Sequence, residues 1–392
     1  MPRLLDGDGV YIMIESQPEK APAPRTRPPH EAPLQPLLEV TVKLHATDLH
    51  LVAGERPRVR ILRDLSTVEN TEPVSDEEIE RSIEAWFPPE LRARFQSARS
   101  FDAGISIPTS EGMTRFRANV FHARGRPAMA IRRLSSEILN TRALNLPAEV
   151  DPLGDFNAGL VIVSGPPGSG KSTTLAALLE RINEEKQFNI VTIEDPVEYL
   201  FTSQKSFIRQ REVGVDTPSF GAALRDVVRE DPDVILVGEM RDMETARAAL
   251  MAAETGHLVF TTLHASEAPG AIDRLVGMFP MEERDPVRMQ LSVTLRAILA
   301  QRLYRSQDGT SMRPAAEVLR VTKGVANMIR TGKTNQIFSA IEGGASQGML
   351  PMELSLAGMV LSGHLSARRA RRLSLRAEAF DGYLRMVMGE KA

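Results

Sequence analysis

The sequence Gly165-Pro166-Pro167-Gly168-Ser169-Gly170-Lys171-Ser172-Thr173 decides the fold, because it fits the pattern G-x-x-x-x-G-K-[ST] at every fixed position. The apolar run 160–163 before it predicts a buried strand, and the alanine and leucine spacing of 174–186 predicts a helix after it. In that context the glycines let backbone N–H groups surround phosphate oxygens, and the helix N-terminus adds positive charge. The stretch predicts a nucleoside triphosphate site formed by Gly165, Gly168, Ser169, Gly170, Lys171, Ser172 and Thr173, with Ser172 also offering its hydroxyl to Mg²⁺.

Strands and helices alternate after this loop. Such alternation requires crossover connections, so it predicts an α/β fold with a mostly parallel sheet and phosphates at the carboxyl edge of its strands. From residue 286 onward the sequence reads as helices joined by glycine-rich turns. The predicted strands are 160–164, 189–193, 234–237 and 258–263, and the predicted helices are 174–186, 220–230 and 243–255.

Length and composition suit a cytoplasmic protein of more than one domain. The chain has 392 residues, whereas single cores usually stop growing near ~250 residues. A net charge of −3 gives no global basic field, so no nucleic-acid partner is expected. The absence of cysteine excludes disulfides and thiolate zinc modules and fits the reducing cytosol. Since no apolar run approaches the ~18 residues that span a bilayer, we expect any membrane association to come through a partner.

Three regions are expected along the chain. Residues 1–36 are rich in proline and poor in apolar residues, which predicts a disordered arm, with a proline-rich docking ligand as the alternative. Residues 37–150 predict a small α+β domain: Ser75 and Glu78 form a capping box, and strand-like runs follow at 101–107, 114–121 and 128–134. A boundary at Asp151 opens the α/β region, 151–392.

Arginines cluster on two neighbouring strands of the predicted α+β domain. Alternation along 114–117 places Arg115 and Arg117 on one side of the strand, and Arg132 and Arg133 lie on the next strand. A solvated basic face is one reading. The other is a set of arginine fingers that reach the nucleotide of a neighbouring subunit, because the guanidinium fork matches phosphate oxygens.

Carboxylates follow the predicted strand 189–193. Glu194, Asp195 and Glu198 lie at or just beyond its end, where one of them would act as a general base on the attacking water. A turn at Asp195-Pro196 is the structural alternative, but it leaves Glu194 and Glu198 without a role.

A second apolar strand, 234–237, ends in Gly238 and Glu239. The aspartate that would orient Mg²⁺ is missing, because Gly238 stands in its place. Magnesium would then depend on Ser172, the phosphates and water, with Glu239 near enough to orient water.

Two histidines flank the predicted strand 258–263. On an unbroken strand, His257 and His264 would face opposite sides, so they are poor joint metal ligands. His264 would lie at the phosphate edge and sense the γ-phosphate, and the alternative for each histidine is a satisfied core residue.

Four segments resemble the sequence boxes of the type II/IV secretion ATPase superfamily. They are the phosphate loop, the acidic segment 192–199, the Gly-Glu strand 234–242 and the histidine segment 254–265, which resemble its Walker A, aspartate, atypical Walker B and histidine boxes. Within that superfamily the chain is most similar to the PilT-type pilus retraction ATPases, from about residue 44 to residue 373.

The resemblance implies a fold, an assembly and roles for particular residues. It implies a PAS-like N-terminal domain, a RecA-like P-loop ATPase domain with a helical C-terminal segment, and a homohexameric ring. It implies ATP and Mg²⁺ as cofactors, and pilus retraction driven from the cytoplasmic side of the inner membrane on a platform protein. By the family pattern Glu198 is the catalytic base, Glu239 is the Walker B glutamate, His257 and His264 are histidine-box residues, and Arg117 and Arg132 are offered to the nucleotide.

The chain departs from the family in three places. Pro167 replaces the usual threonine of the loop, residues 326–330 match the AIRAEG-type segment only in part, and the arm before residue 37 has no counterpart. An accessory retraction paralogue and a DNA-transfer ATPase stay open as alternatives. So does a pilus assembly or type II secretion ATPase, although the chain lacks the four-cysteine module common there. A nucleotide-gated regulator that scarcely hydrolyses is the alternative from another class.

Overall fold

The computed structural model describes residues 32–61, 64–134, 137–309 and 311–389. Most of the predicted arm, residues 1–31, lies outside the described residues. At the end of that predicted arm, Leu34 is buried in the N-terminal core and the first helix begins at Gln35. Residues 34–36, which were predicted to belong to the arm, are therefore part of the N-terminal core and its first helix.

The described residues form two sheets with helices packed on them. Helices and strands are numbered separately in chain order. The strands are β1 Asp48–Val52, β2 Arg58–Ile61, β3 Asp64–Thr67, β4 Ser100–Thr109, β5 Gly112–Ala123, β6 Arg126–Arg133, β7 Gly159–Ser164, β8 Asn189–Glu194, β9 Phe207–Glu212, β10 Val234–Val237, β11 Leu258–Leu263, β12 Leu295–Arg305 and β13 Met312–Arg320. The helices are α1 Gln35–Lys43, α2 Asp76–Trp86, α3 Pro89–Ala98, α4 Lys171–Glu185, α5 Phe220–Val227, α6 Met243–Glu254, α7 Ala268–Gly277, α8 Arg284–Thr294, α9 Lys323–Arg330, α10 Ile337–Glu342, α11 Met352–Leu361, α12 Ala367–Leu373 and α13 Ala377–Met388.

The first sheet is six-stranded and antiparallel, in the order β3-β2-β1-β6-β5-β4. Alternate residues of β5 are buried, so Phe116 enters the core while Arg115 and Arg117 lie on the other face, as the alternation predicted. The capping box is confirmed: Ser75 Oγ accepts from the Glu78 backbone N–H, and the Glu78 carboxylate accepts from the Ser75 N–H. This local bonding fixes where α2 begins.

The second sheet is seven-stranded, in the order β13-β12-β7-β11-β10-β8-β9. All neighbouring strands are parallel except β12 and β13, which form an antiparallel pair at one edge. Every residue of β7, β10 and β11 is buried, because helices cover both faces of the sheet. The mostly parallel sheet predicted from the strand and helix alternation is confirmed.

The prediction of helices from residue 286 onward holds for α8 but was wrong for the residues that follow it. Residues 295–320 were expected to be helical, but they form the hairpin β12–β13, which extends the second sheet beside β7. Burial of the N-terminal half of β12, up to Gln301, overrides the helical preference of its alanines and leucines. After β13, helices dominate again, from α9 to α13.

The helix after the phosphate loop also differs from its prediction. It begins at Lys171 and not at residue 174, with Gly170 as its N-cap. Lys171, Ser172 and Thr173 therefore form its first turn, where backbone N–H groups lack helical partners. Among the described residues, the helices are too short or too polar to cross a membrane.

Candidate functional site

The phosphate loop connects β7 to α4 and depends on glycine backbone geometry. Gly165, Gly168 and Gly170 have φ angles of +153°, +73° and +85°, which L-residues with side chains rarely adopt. A Cβ on Gly165 would also collide with the backbone oxygen of Gln301 on β12. The loop is therefore curved tightly against the neighbouring strand, and the N–H groups of Gly165 and Ser169 bond the backbone oxygens of Leu263 and Pro166.

Lys171 is buried at the start of α4. Its Nζ donates hydrogen bonds to the backbone oxygens of Gly165, at 3.0 Å, and Pro166, at 3.1 Å. Burial lowers the pKa of Lys171, whereas the charges of Glu239 and Glu198 act in the opposite direction. Lys171, Glu198 and Glu239 were predicted from three separate segments. The two carboxylates therefore lie near enough to Lys171 for their charges to act on it.

The other loop residues predicted for the site occupy different environments. Ser172 is exposed, so its hydroxyl is accessible to a ligand. Ser169 is buried, and its Oγ has no hydrogen-bond partner among the described residues. Thr173 Oγ1 lies 2.9 Å from the hydroxyl of Tyr199, which ties the first turn of α4 to the segment that contains Glu198.

Glu194 and Glu198 follow one another at the carboxyl end of β8 but differ in exposure. Glu194 is almost fully buried, and burial raises its pKa to about 7 although Thr192 Oγ1 and Gln210 Nε2 both donate to its Oε1. The side chain of Glu198 is 32% exposed. Of the two, Glu198 is the carboxylate that water and a nucleotide can reach.

Glu239 lies beyond the end of β10 and contacts two cationic or ionisable side chains. Its Oε1 is 2.7 Å from Arg241 Nε and 3.1 Å from His264 Nε2. Burial alone would raise the pKa of Glu239, but hydrogen bonds and charge from Arg241 and His264 outweigh it and lower this pKa. Glu239 is therefore an ionised acceptor that holds His264 at the phosphate edge.

Gly238 stands where a magnesium-orienting aspartate was expected. Its N–H donates to Ile193 O at 2.8 Å, and a Cβ there would lie 3.3 Å from that same oxygen and 3.4 Å from Glu194 Cα. The end of β10 is thus packed closely against the end of β8. A larger side chain at this position would press against the strand that precedes Glu198.

The structure places the two histidines beyond opposite ends of β11. His257 precedes β11, where its Nδ1 lies 2.9 Å from Ala252 O, and His264 follows β11 at the opposite end. Parallel strands present their carboxyl ends together, so His264 alone lies at the edge that contains the phosphate loop.

The predicted arginines occupy neighbouring positions but have different partners. Arg117 and Arg132 are directly paired across β5 and β6. Arg117 Nη1 lies 3.8 Å from Glu198 Oε1, whereas Arg132 is largely exposed and donates from Nε to Asp48 Oδ1 at 2.9 Å. Within one chain, Arg117 therefore lies beside the predicted catalytic carboxylate Glu198, whereas Arg132 is paired with Asp48.

Sequence reasoning missed three residues that the structure places around this site. Tyr199 and Arg241 are one and two residues away from predicted carboxylates, so their positions in sequence were a signal. Gln301 donates from Nε2 to Ser169 O at 2.8 Å and accepts from Thr174 Oγ1 at 2.7 Å. It lies on β12, which was not predicted as a strand, so no local pattern pointed to it.

Comparison with known proteins gives consistent matches over most of the chain. Residues 102–341 match the family model described as Type II/IV secretion system protein. The chain is 41% identical over 335 residues to the type IV pilus retraction ATPase PilT of Pseudomonas aeruginosa, covering 86% of this chain and 96% of that protein. It is 40% identical to the twitching motility protein of Neisseria gonorrhoeae, covering 83% of this chain and 86% of that protein.

The solved structures agree with the sequence relatives. A crystal structure of the pilus retraction motor PilT with bound ADP matches with a TM-score of 0.81 and 38% identity, covering 89% of this chain and 99% of that chain. Fold, phosphate loop and sequence similarity all point to one group of nucleotide-binding ATPases. The chain therefore belongs to the type II/IV secretion ATPase family and, within it, to the PilT-type pilus retraction ATPases.

Proposed function

We propose that this chain binds ATP with Mg²⁺ at the loop 165–173 and hydrolyses it to drive retraction of a type IV pilus. One observation above all supports the chemistry: Lys171, Glu198 and Glu239 come from three segments and meet at the carboxyl edge of one parallel sheet. A phosphate-binding cation beside two carboxylates is the arrangement that phosphoryl transfer to water requires.

The loop residues would hold the triphosphate. Lys171 exchanges its bonds to the carbonyls of Gly165 and Pro166 for β- and γ-phosphate oxygens, which offer stronger, charged acceptors. The N–H groups of the loop and of the first turn of α4 surround the same phosphates. Ser172 provides the metal-facing hydroxyl, and a bound Mg²⁺ would neutralise charge on the phosphates.

Glu198 is the proposed general base. It accepts the proton of the attacking water, and Arg117 at 3.8 Å adds positive charge beside the γ-phosphate. Glu239 holds His264 through Nε2, while the buried Nδ1 of His264 has no partner among the described residues. His264 can therefore respond to the γ-phosphate through that free nitrogen.

The proposed assembly is a homohexameric ring. Arg132 is exposed and close to Arg117, so both guanidinium groups are available to the nucleotide at a subunit boundary. The proposed domains are a PAS-like domain that includes Leu34 and α1 and extends to residue 150, and a RecA-like domain 151–392. The ring works at the cytoplasmic face of the inner membrane, on a pilus platform protein that supplies its membrane contact.

A deletion strain tests this function. Complementation with the wild-type gene should restore twitching, whereas the Lys171→Ala gene should leave cells with excess pili that never shorten. Equal expression of both proteins is the control. Bald deletion cells would instead indicate pilus assembly, normal pili and twitching would indicate an accessory role, and lost conjugation with normal twitching would indicate DNA transfer.

A further inference from the structure

A buried ion pair joins the two sheets next to the proposed general base. Arg115 on β5 of the first sheet places Nη2 2.6 Å from Glu212 Oε2 at the end of β9 of the second sheet. The two side chains are only 13% and 8% exposed. Removing one member of such a pair leaves an uncompensated buried charge, so the pair links the two sheets strongly.

Both members of the pair also hold the peptide groups of Val197. Arg115 Nε donates to Val197 O at 3.3 Å, and the Val197 N–H donates to Glu212 Oε2 at 3.2 Å. Val197 directly precedes Glu198 in the chain. The backbone that sets the position of Glu198 is therefore held from two sides, by one residue of each sheet.

The first sheet is shaped to accommodate this contact. Gly104 on β4 lies beneath the Arg115 guanidinium, and a Cβ at Gly104 would collide with it. The Gly104 N–H donates to the other oxygen of Glu212, at 3.2 Å. Burial raises the pKa of Glu212, and Arg115 together with the N–H groups of Gly104 and Val197 counteracts that rise.

We propose that Arg115 and Glu212 are positioning residues that fix Glu198 for hydrolysis and make turnover depend on how the first sheet sits against the second. The proposal rests on the proposed role of Glu198 as general base. Arg115 acts through the backbone of Val197, whereas Arg117, two residues along the same face of β5, contacts the Glu198 carboxylate itself.

The expected effect follows from the geometry of base catalysis. A base displaced by ~1 Å can lose about a hundredfold in rate. The phosphate loop belongs to β7 and α4, which neither Arg115 nor Glu212 contacts through the bonds described above. Loss of the Arg115–Glu212 ion pair should therefore lower kcat for ATP hydrolysis by at least about tenfold and leave nucleotide affinity within about twofold of wild type.

The test compares Arg115→Lys, Arg115→Gln and Glu212→Gln with wild type in the full-length assembled protein. Arg115→Lys retains a cation opposite Glu212, so it protects the fold, but it lacks the rigid guanidinium fork that donates from separate nitrogens to Glu212 and Val197 O. Steady-state hydrolysis gives kcat, and titration with a fluorescent ATP analogue gives affinity. The matched control is Arg126→Gln, on β6 of the same sheet as Arg115, which removes an exposed ion pair with Asp76 of α2 and should leave both values unchanged.

Placing Arg115→Lys in a Glu198→Gln background separates positioning from a general structural role. Single-turnover hydrolysis should show no further loss in the double variant, because the group that Arg115 positions is already removed. An additional tenfold loss there, weakened nucleotide binding in Arg115→Lys, or wild-type kcat in all three single variants would overturn the inference. Wild-type turnover in Glu198→Gln alone would instead reject the general base itself.

Discussion

Replacing Glu317 with glutamine should stabilise the protein, and the gain should grow with pH. Glu317 lies on β13 and is fully buried. Its Oε1 accepts from the Ala268 N–H at 2.8 Å, but its Oε2 has no hydrogen-bond partner among the described residues. Burial, helped by the nearby charges of Glu267 and Glu353, raises the pKa of Glu317 to about 7, although the Ala268 N–H and Arg376 act in the opposite direction.

The magnitude follows from the difference between the folded and unfolded pKa values. The shift from 4.5 to about 7 means that the folded state holds this proton more tightly than the unfolded state. The stability that Glu317 contributes is therefore complete below about pH 4.5 and is lost as pH rises through about 7. At ~1.4 kcal/mol per pKa unit, the loss at pH 8 is about 3 kcal/mol.

Glutamine at this position has no charge to bury. Its oxygen can still accept from the Ala268 N–H, and its NH₂ group can donate toward Glu353 Oε2, which lacks a hydrogen-bond partner among the described residues. The free energy of unfolding of Glu317→Gln minus that of wild type should therefore increase by about 2–3 kcal/mol between pH 5 and pH 8.

Urea unfolding of both proteins at pH 5, 6, 7 and 8 measures this advantage as the difference in free energy of unfolding. Glu378→Gln, at an exposed position on α13, is the matched control and should show no such trend. A constant difference across this pH range, or a wild-type protein that is the more stable one at pH 8, would refute the reasoning.

Two further predictions concern backbone geometry and helix capping. Gly165→Ala should cost about 3 kcal/mol or more, because it combines φ +153° with a collision against Gln301, whereas Gly168→Ala, with open space around its Cβ, should cost only about 1–2 kcal/mol. Equal urea midpoints for these two nucleotide-free variants would contradict this. Ser75→Ala removes the acceptor of the Glu78 N–H and should cost about 1 kcal/mol in thermal unfolding of the full chain, and an unchanged melting temperature would count against it.

The parts of the fold with local signals were predicted from sequence. The strands β10 and β11 have the predicted ends, 234–237 and 258–263. The loop 165–173 lies between strand and helix as expected, because its glycines and lysine act within a few residues of one another. The capping box of α2 belongs to the same class of short-range signal.

The hairpin β12–β13 lacked such a signal. Residues 295–305 contain alanines and leucines that favour helix, and the strand forms because it packs between β7 and β13. A single sequence does not reveal that neighbour, since β7 is more than a hundred residues earlier.

Partners of the site residues were harder to predict than the residues themselves. Glu198, Glu239, His264 and the loop were identified from their positions after strands. The contacts of Gln301 with the loop and of Arg115 with Glu212 span 132 and 97 residues, so they exist only through tertiary packing. Nothing in the alternation of β5 distinguished Arg115, which binds Glu212, from Arg117, which reaches Glu198.

The most direct test of the account is steady-state ATP hydrolysis by the purified full-length protein, with Glu198→Gln and Lys171→Ala measured beside it under the same conditions. The account predicts that Glu198→Gln binds ATP like wild type but loses at least about a hundredfold in turnover, and that Lys171→Ala loses turnover with weakened binding. Wild-type turnover in Glu198→Gln would contradict it.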